Sequence, residues 1–231
     1  MKIKVEHLHF SFGDRKVFDD ISFSIESSEV TSIIGVSGCG KSTLIKLLSG
    51  LKKADEGAVL YGDDKDDYVN FEDMAIVFQD STLFPWKTVK ENLELSSPED
   101  INIDEISNTV GLNNALKLYP DELSGGMKQR AEFGKIIARN PKLLFMDEPF
   151  GSLDMQYRKH LQEVFLNFQN QQKPTTIIIT HDIDEALKVS KYVKVLVGNP
   201  VNDVLHFKVD TSSNNTKEKI EKILYENFKN K

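Results

Sequence analysis

Cysteine is nearly absent: Cys39 alone stands in 231 residues. No disulfide can close within the chain, and a reducing compartment is the natural setting. Basic residues are in deficit, 29 Lys and Arg against 36 Asp and Glu, for a net charge of −7. That balance argues against a nucleic-acid binder held by phosphate contacts, although a local positive site is still possible. No apolar run reaches membrane-spanning length. The opening Met1-Lys2-Ile3-Lys4-Val5-Glu6-His7 lacks the long apolar core of a secretion signal. There is no internal repeat. The length suits one substantial core with room for a sub-domain, and a second full domain is not expected.

What is present is a cluster of glycines. Gly35-Val36-Ser37-Gly38-Cys39-Gly40-Lys41-Ser42-Thr43 fits the phosphate-loop pattern of Gly, four residues, then Gly-Lys-Ser. The β-rich Val30–Ile34 precedes it, and Leu44-Ile45-Lys46-Leu47-Leu48 follows with apolar residues at helical intervals. Strand, tight turn and helix start would aim successive N–H groups at a polyphosphate, with the positive end of the helix behind them. Lys41 would reach the β and γ phosphates of ATP, and the Ser42 hydroxyl would be a ligand of the bridging Mg²⁺.

Around this loop, Ile3 to Phe12 and Ile21 to Ile25 read as β structure, with Gly13-Asp14-Arg15-Lys16 as the turn between them. Gly57 to Gly62 is a further strand, and Asp63-Asp64-Lys65-Asp66-Asp67 a charged, solvated turn without a calcium-loop pattern. Ala75-Ile76-Val77-Phe78 suits a buried parallel strand ending at Gln79. From 81 to 139 the pattern is helical. Met127, Ala131, Gly134 and Ala138 share one helical face, Ser124 is the expected N-cap, and Asn140-Pro141 stops the helix. Strands and helices then alternate. Leu143–Met146 is followed by a helix marked by Leu161, Val164, Phe165 and Phe168. Thr176–Thr180 precedes the helix face Ile183, Ala186 and Leu187. Val193–Val197 and Val204–Phe207 are late strands, and Ile220 to Phe228 a terminal helix. Such alternation calls for an α/β fold with a mainly parallel sheet covered on both faces.

Asp147 and Glu148 end a buried strand, where ligands of an open α/β sheet sit. In a phosphate-loop enzyme the first would hold Mg²⁺ and the second would deprotonate water. Leu123-Ser124-Gly125-Gly126, at a helix start, makes a second nest of N–H groups directed at an anion.

With that stretch in view the sequence resembles the ATP-binding cassette (ABC) family through nearly its whole length. The phosphate loop, Gln79, Leu123-Ser124-Gly125-Gly126, Asp147-Glu148-Pro149, Ser152-Leu153-Asp154 and Thr180-His181 stand in the family's order. The resemblance implies a P-loop NTPase core, an N-terminal antiparallel β sub-domain and an α-helical sub-domain. Residues 1–80 and 140–231 would form the nucleotide-binding core with its β sub-domain, and 81–139 the helical sub-domain carrying the signature. It also implies a head-to-tail dimer with two ATP molecules between subunits, each held by one chain's phosphate loop and the other's Ser124, Gly125 and Gly126. Gln79 would attend the metal and the attacking water, His181 the γ phosphate and Glu148, and Asp154 the opposite site. Phe12, where relatives often have Tyr, would stack on adenine; a core position in its strand is the alternative. Cys39, beside Lys41, is most simply a small loop residue, and its alkylation is expected to block ATP binding. His7, His9, His160 and His206 receive no role.

Phe78 to Trp86 and Met146 to Asp154 resemble importer ATPases of the nitrate, sulfonate, taurine and thiamine-precursor group. That likeness implies an ATP-hydrolysing subunit at the cytoplasmic face of the membrane, docked on a permease that an extracytoplasmic binding protein serves. Trp86 would line the permease groove, or be buried locally. The alternatives are a family ATPase acting outside transport, for which the stretch between Thr43 and Leu123 is too short to hold a coiled coil, and a regulator that binds nucleotide without hydrolysis.

Overall fold

β1 (Ile3–Phe12) buries Ile3 and Val5 and then Leu8 and Phe10, the alternation resuming after a register shift at His7, which takes φ +48°. β1 pairs antiparallel with β2 (Arg15–Ile25) and with β4 (Glu56–Tyr61). The expected four-residue turn is only Gly13-Asp14. Arg15 and Lys16 already belong to β2, because Phe12 and Ser11 across the ladder supply their partners. In the computed structural model the described residues are 1–62, 71–96, 101–151, 153–210 and 215–229. The charged turn expected at Asp63–Asp67, and Ser152 of the Ser-Leu-Asp stretch, lie outside them.

The remaining strands are β3 (Val30–Ile34), β5 (Met74–Val77), β6 (Leu143–Asp147), β7 (Thr175–Ile179), β8 (Tyr192–Gly198) and β9 (Val201–Lys208). All nine form one sheet in the order β4-β1-β2-β9-β8-β3-β7-β6-β5. From β5 to β8 neighbouring strands are parallel, whereas β9 runs antiparallel to β8. The N-terminal antiparallel strands are therefore continuous with the core sheet, joined where β2 meets β9 at Phe18↔Val201.

The central strands are buried on both faces, as parallel strands under helices must be. Leu144 and Met146 pack with Val89, Leu93, Ile106, Phe133 and Phe165, from α2 (Val89–Glu94), α3 (Ile103–Thr109), α4 (Gly125–Arg139) and α5 (Met155–Gln172). Leu143 and Phe145, pointing the other way, pack with Leu44 and Leu48 of α1 (Lys41–Leu48) and with Ile3 and Phe18. A third cluster sets Ala186 of α6 (Ile183–Val189) and Ile220 of α7 (Asn215–Lys229) on Val193 and Val195. Helix α4 begins at the Ser124 cap and ends at Asn140, which takes the left-handed conformation before Pro141. A Cβ on Gly134 would lie 2.8 Å from Leu93 Cδ2, so glycine lets α4 approach α2 closely. No helix among the described residues is long and apolar enough to cross a membrane.

A lysine is buried in this sheet, away from the strand ends. Lys194 on β8 is 3% exposed; its Nζ lies 3.1 Å from Nδ1 of the cross-strand His206 and over the Phe23 ring. Burial pushes the ammonium down to about 8, against the attraction of Glu26. His206 is lowered too, by burial and then by the Lys194 charge. An unfolded lysine titrates near 10.4, so the unfolded chain binds more protons between about pH 8 and pH 10.4, and stability rises with pH across that window. The urea midpoint is expected to increase from pH 7.5 to pH 9.5, Lys194 contributing at most about 3 kcal/mol. Lys194→Met should raise stability at pH 7.5 and remove most of that slope; an unchanged slope would assign it to other groups.

Candidate functional site

Strands β3, β6 and β7 end at the same edge of the sheet, where an open parallel sheet receives ligands. The phosphate loop follows β3, the two carboxylates close β6 and His181 follows β7. They surround a cavity of about 680 Å³ lined by Ser37, Gly38, Gly40, Lys41, Ser42, Thr43, Gln79, Gln129, Asp147, Glu148, Gly151 and His181.

Gly40 takes φ +107°, and a Cβ there would stand 2.4 Å from Val17 Cγ1, so only glycine serves at this approach to β2. It caps α1 without a side-chain acceptor, leaving the first-turn N–H groups directed at the cavity mouth. Lys41 Nζ donates to the carbonyls of Gly35 at 2.9 Å and Val36 at 3.3 Å. Those bonds fold its ammonium back over the loop, on the side where a phosphate would lie.

Asp147 is 6% exposed. Burial pushes its carboxyl up, a hydrogen bond from Ser42 pulls it down, the Glu148 charge raises it, and Lys41 and Lys46 lower it. A buried carboxylate bonded to the Ser42 hydroxyl, in a cavity also lined by the Gln79 amide, is an oxygen donor set suited to Mg²⁺, whose charge would offset the cost of burying the anion. Ser42, Gln79 and Asp147 therefore fit the metal.

Glu148 adopts φ +53°, a left-handed conformation that costs a non-glycine residue about 1–3 kcal/mol. Its N–H donates to Ile179 O at 2.9 Å. Its carbonyl accepts from Gly151 N at 3.2 Å and from Gln129 Nε2 at 3.3 Å. Its Oε2 lies 2.7 Å from His181 Nδ1, and it is far less exposed than the imidazole. A carboxylate fixed by a histidine at the edge of this cavity would be able to take a proton from a water held there.

The sequence-predicted residues divide into two groups. Ser37, Gly38, Gly40, Lys41, Ser42, Thr43, Gln79, Asp147, Glu148 and His181 converge on the cavity. Phe12, Gly35, Cys39, Ser124, Gly125, Gly126 and Asp154 do not line it. Gly35 contributes through its carbonyl to Lys41. Cys39 is buried, and a Cβ on Gly35 would lie 2.7 Å from its Sγ, so the thiol is packed behind the loop and alkylation requires the loop to open. Phe12 is 52% exposed, edge-on to Phe10 and beneath Lys52 Nζ, which excludes the core position. Ser124 is exposed and its Oγ accepts from Met127 N at 3.3 Å; exposed Asp154 caps α5 through Gln156 N and Tyr157 N. Trp86 is 70% exposed and packs against Phe84, so it is not buried locally. Two lining residues escaped the sequence. Gln129 lies off the apolar stripe of α4 just past the Ser-Gly-Gly start, a polar position that could have marked it, and Gly151 carries no side chain to read.

These features define a phosphate-loop nucleotide site on a parallel sheet. The family model described as "ABC transporter" matches residues 18–151. The aliphatic sulfonates import ATP-binding protein SsuB of Bacillus licheniformis is 39% identical over 207 residues, 87% of this chain and 81% of that protein. The nitrate import ATP-binding protein NrtD of Synechococcus elongatus is 36% identical over 211 residues, 86% and 77% respectively. The dimeric structure of MJ0796, a bacterial ABC transporter cassette, superposes with a TM-score of 0.77 at 24% identity, over 90% of this chain and 99% of that one, and so shares the fold. The chain belongs to the ABC transporter family.

Proposed function

We propose that the chain is the ATP-binding and ATP-hydrolysing subunit of an ABC importer, taking up a small solute of the sulfonate or nitrate kind. It would act as a dimer on the cytoplasmic face of a membrane permease fed by an extracytoplasmic binding protein. The relatives' import functions support this, and so does the geometry. One observation carries the two-chain form of the site: the start of α4, exposed at Ser124 and Gly125 and half-buried at Gly126, stands outside the cavity that holds the rest of the phosphate machinery. An N–H nest left facing solvent suits the γ phosphate of a nucleotide on a second copy.

In the proposed reaction the first turn of α1 and Lys41 bind the β and γ phosphates. Phe12 offers a face to adenine. Ser42, Gln79 and Asp147 would hold Mg²⁺, which when bound neutralises phosphate charge. Glu148 accepts the proton of the attacking water while His181 fixes its carboxylate, and Asp154 would face the opposing site. Closure of the dimer on ATP and reopening after hydrolysis would move the helical stretch 81–139 and the permease docked near Trp86.

Lys41→Ala tests the pocket. Losing a charge-assisted contact to phosphate should weaken ATP binding by roughly 10–100-fold in calorimetry. Unchanged affinity would place the nucleotide elsewhere.

A further inference from the structure

The left-handed backbone of Glu148 persists only because surrounding bonds over-determine it. The Ile179 and Gly151 bonds come from the sheet edge and from the turn itself, and the His181 bond from the loop after β7. The Gln129 amide is different: it reaches the Glu148 carbonyl from α4, the helix that opens with Ser124, Gly125 and Gly126 and packs on α2 and α3.

We propose that Gln129 is a positioning residue. It ties the backbone of Glu148 to α4, so that the aim of the carboxylate depends on where the helical stretch stands. The inference rests on Glu148 being the base. At 3.3 Å the bond is at the long end of the hydrogen-bond range, so a small displacement of α4 either tightens or breaks it. Breaking it leaves the Glu148 carbonyl with the Gly151 bond alone, so the turn is held less tightly and the aim of the carboxylate toward His181 and the attacking water is loosened. Whatever the second copy or a permease does to α4 is thereby felt at the base, through a contact separate from Gln79.

Gln129→Met keeps length and bulk but cannot donate. It is expected to lower kcat by about 10–100-fold, the usual consequence of misplacing a reacting group, with ATP affinity, KM and thermal midpoint essentially unchanged. In a Glu148→Gln background the same substitution should lower residual turnover no further, because Gln129 acts only through the group already removed. Losses that multiply, or an equal fall in affinity, would make Gln129 a general structural residue and overturn the proposal. Normal kcat in Gln129→Met with slow Glu148→Gln would overturn this inference alone. Normal turnover in Glu148→Gln would remove the base assignment and this inference with it.

Discussion

Glu148→Gln is expected to bind ATP as tightly as the parent chain while turning it over roughly 10²–10⁴-fold more slowly, the usual worth of a positioned general base. The amide keeps the shape of the carboxylate and a hydrogen bond to His181, so the 2.7 Å contact and the backbone at φ +53° need not change. What it loses is the capacity to take a proton. Affinity should hold because Lys41 and the first turn of α1 supply the binding contacts. Phosphate release under single-turnover conditions, measured beside nucleotide affinity, separates the two effects. Turnover within a few-fold of the parent would exclude Glu148 as the base. If hydrolysis is what reopens the dimer, the variant should also accumulate as an ATP-bound dimer in size-exclusion chromatography.

Ser124→Arg should abolish hydrolysis without touching nucleotide binding to the single chain. Ser124 lies outside the cavity, and its own structural work is one cap bond to Met127 N, worth about 1 kcal/mol to α4. An arginine there would fill the space in which the partner's γ phosphate is proposed to lie. The decisive form mixes it with Lys41→Ala. Each variant alone is inactive, but a mixed dimer joins the intact loop of one chain to the intact Ser124 of the other in one of its two sites. Phosphate release from the mixture and from neither component is the expected result. Normal hydrolysis by Ser124→Arg alone would show that each chain works by itself.

Much of this site was legible in the sequence because phosphate chemistry demands local backbone geometry, and local geometry leaves local residue patterns. Gly35 to Thr43 announces its turn through glycine, and Asp147-Glu148 announces a strand end through an abrupt change from apolar to acidic. What could not be read depends on strand pairing and packing. Arg15 and Lys16 look like turn residues until β1 is laid beside them. Nothing near Phe18 or Val201 tells that they join the two parts of the sheet. Lys194, within the alternating Val193-Lys194-Val195, reads as an outward-facing charge; His206 across the β8–β9 hairpin and Phe23, far away in the chain, cover it. Gln129 acquires meaning only when α4 is folded against the turn after β6.

The conformation of Glu148 carries a consequence for the history of such chains. A glycine at 148 would sit in that turn without complaint and make the folded protein sturdier, yet it could not accept a proton. Stability and turnover pull this position in opposite directions. A lineage that kept the cassette as a scaffold but no longer needed its hydrolysis would be free to drift here toward glycine or asparagine, and that substitution would mark the chain as retired from ATP turnover.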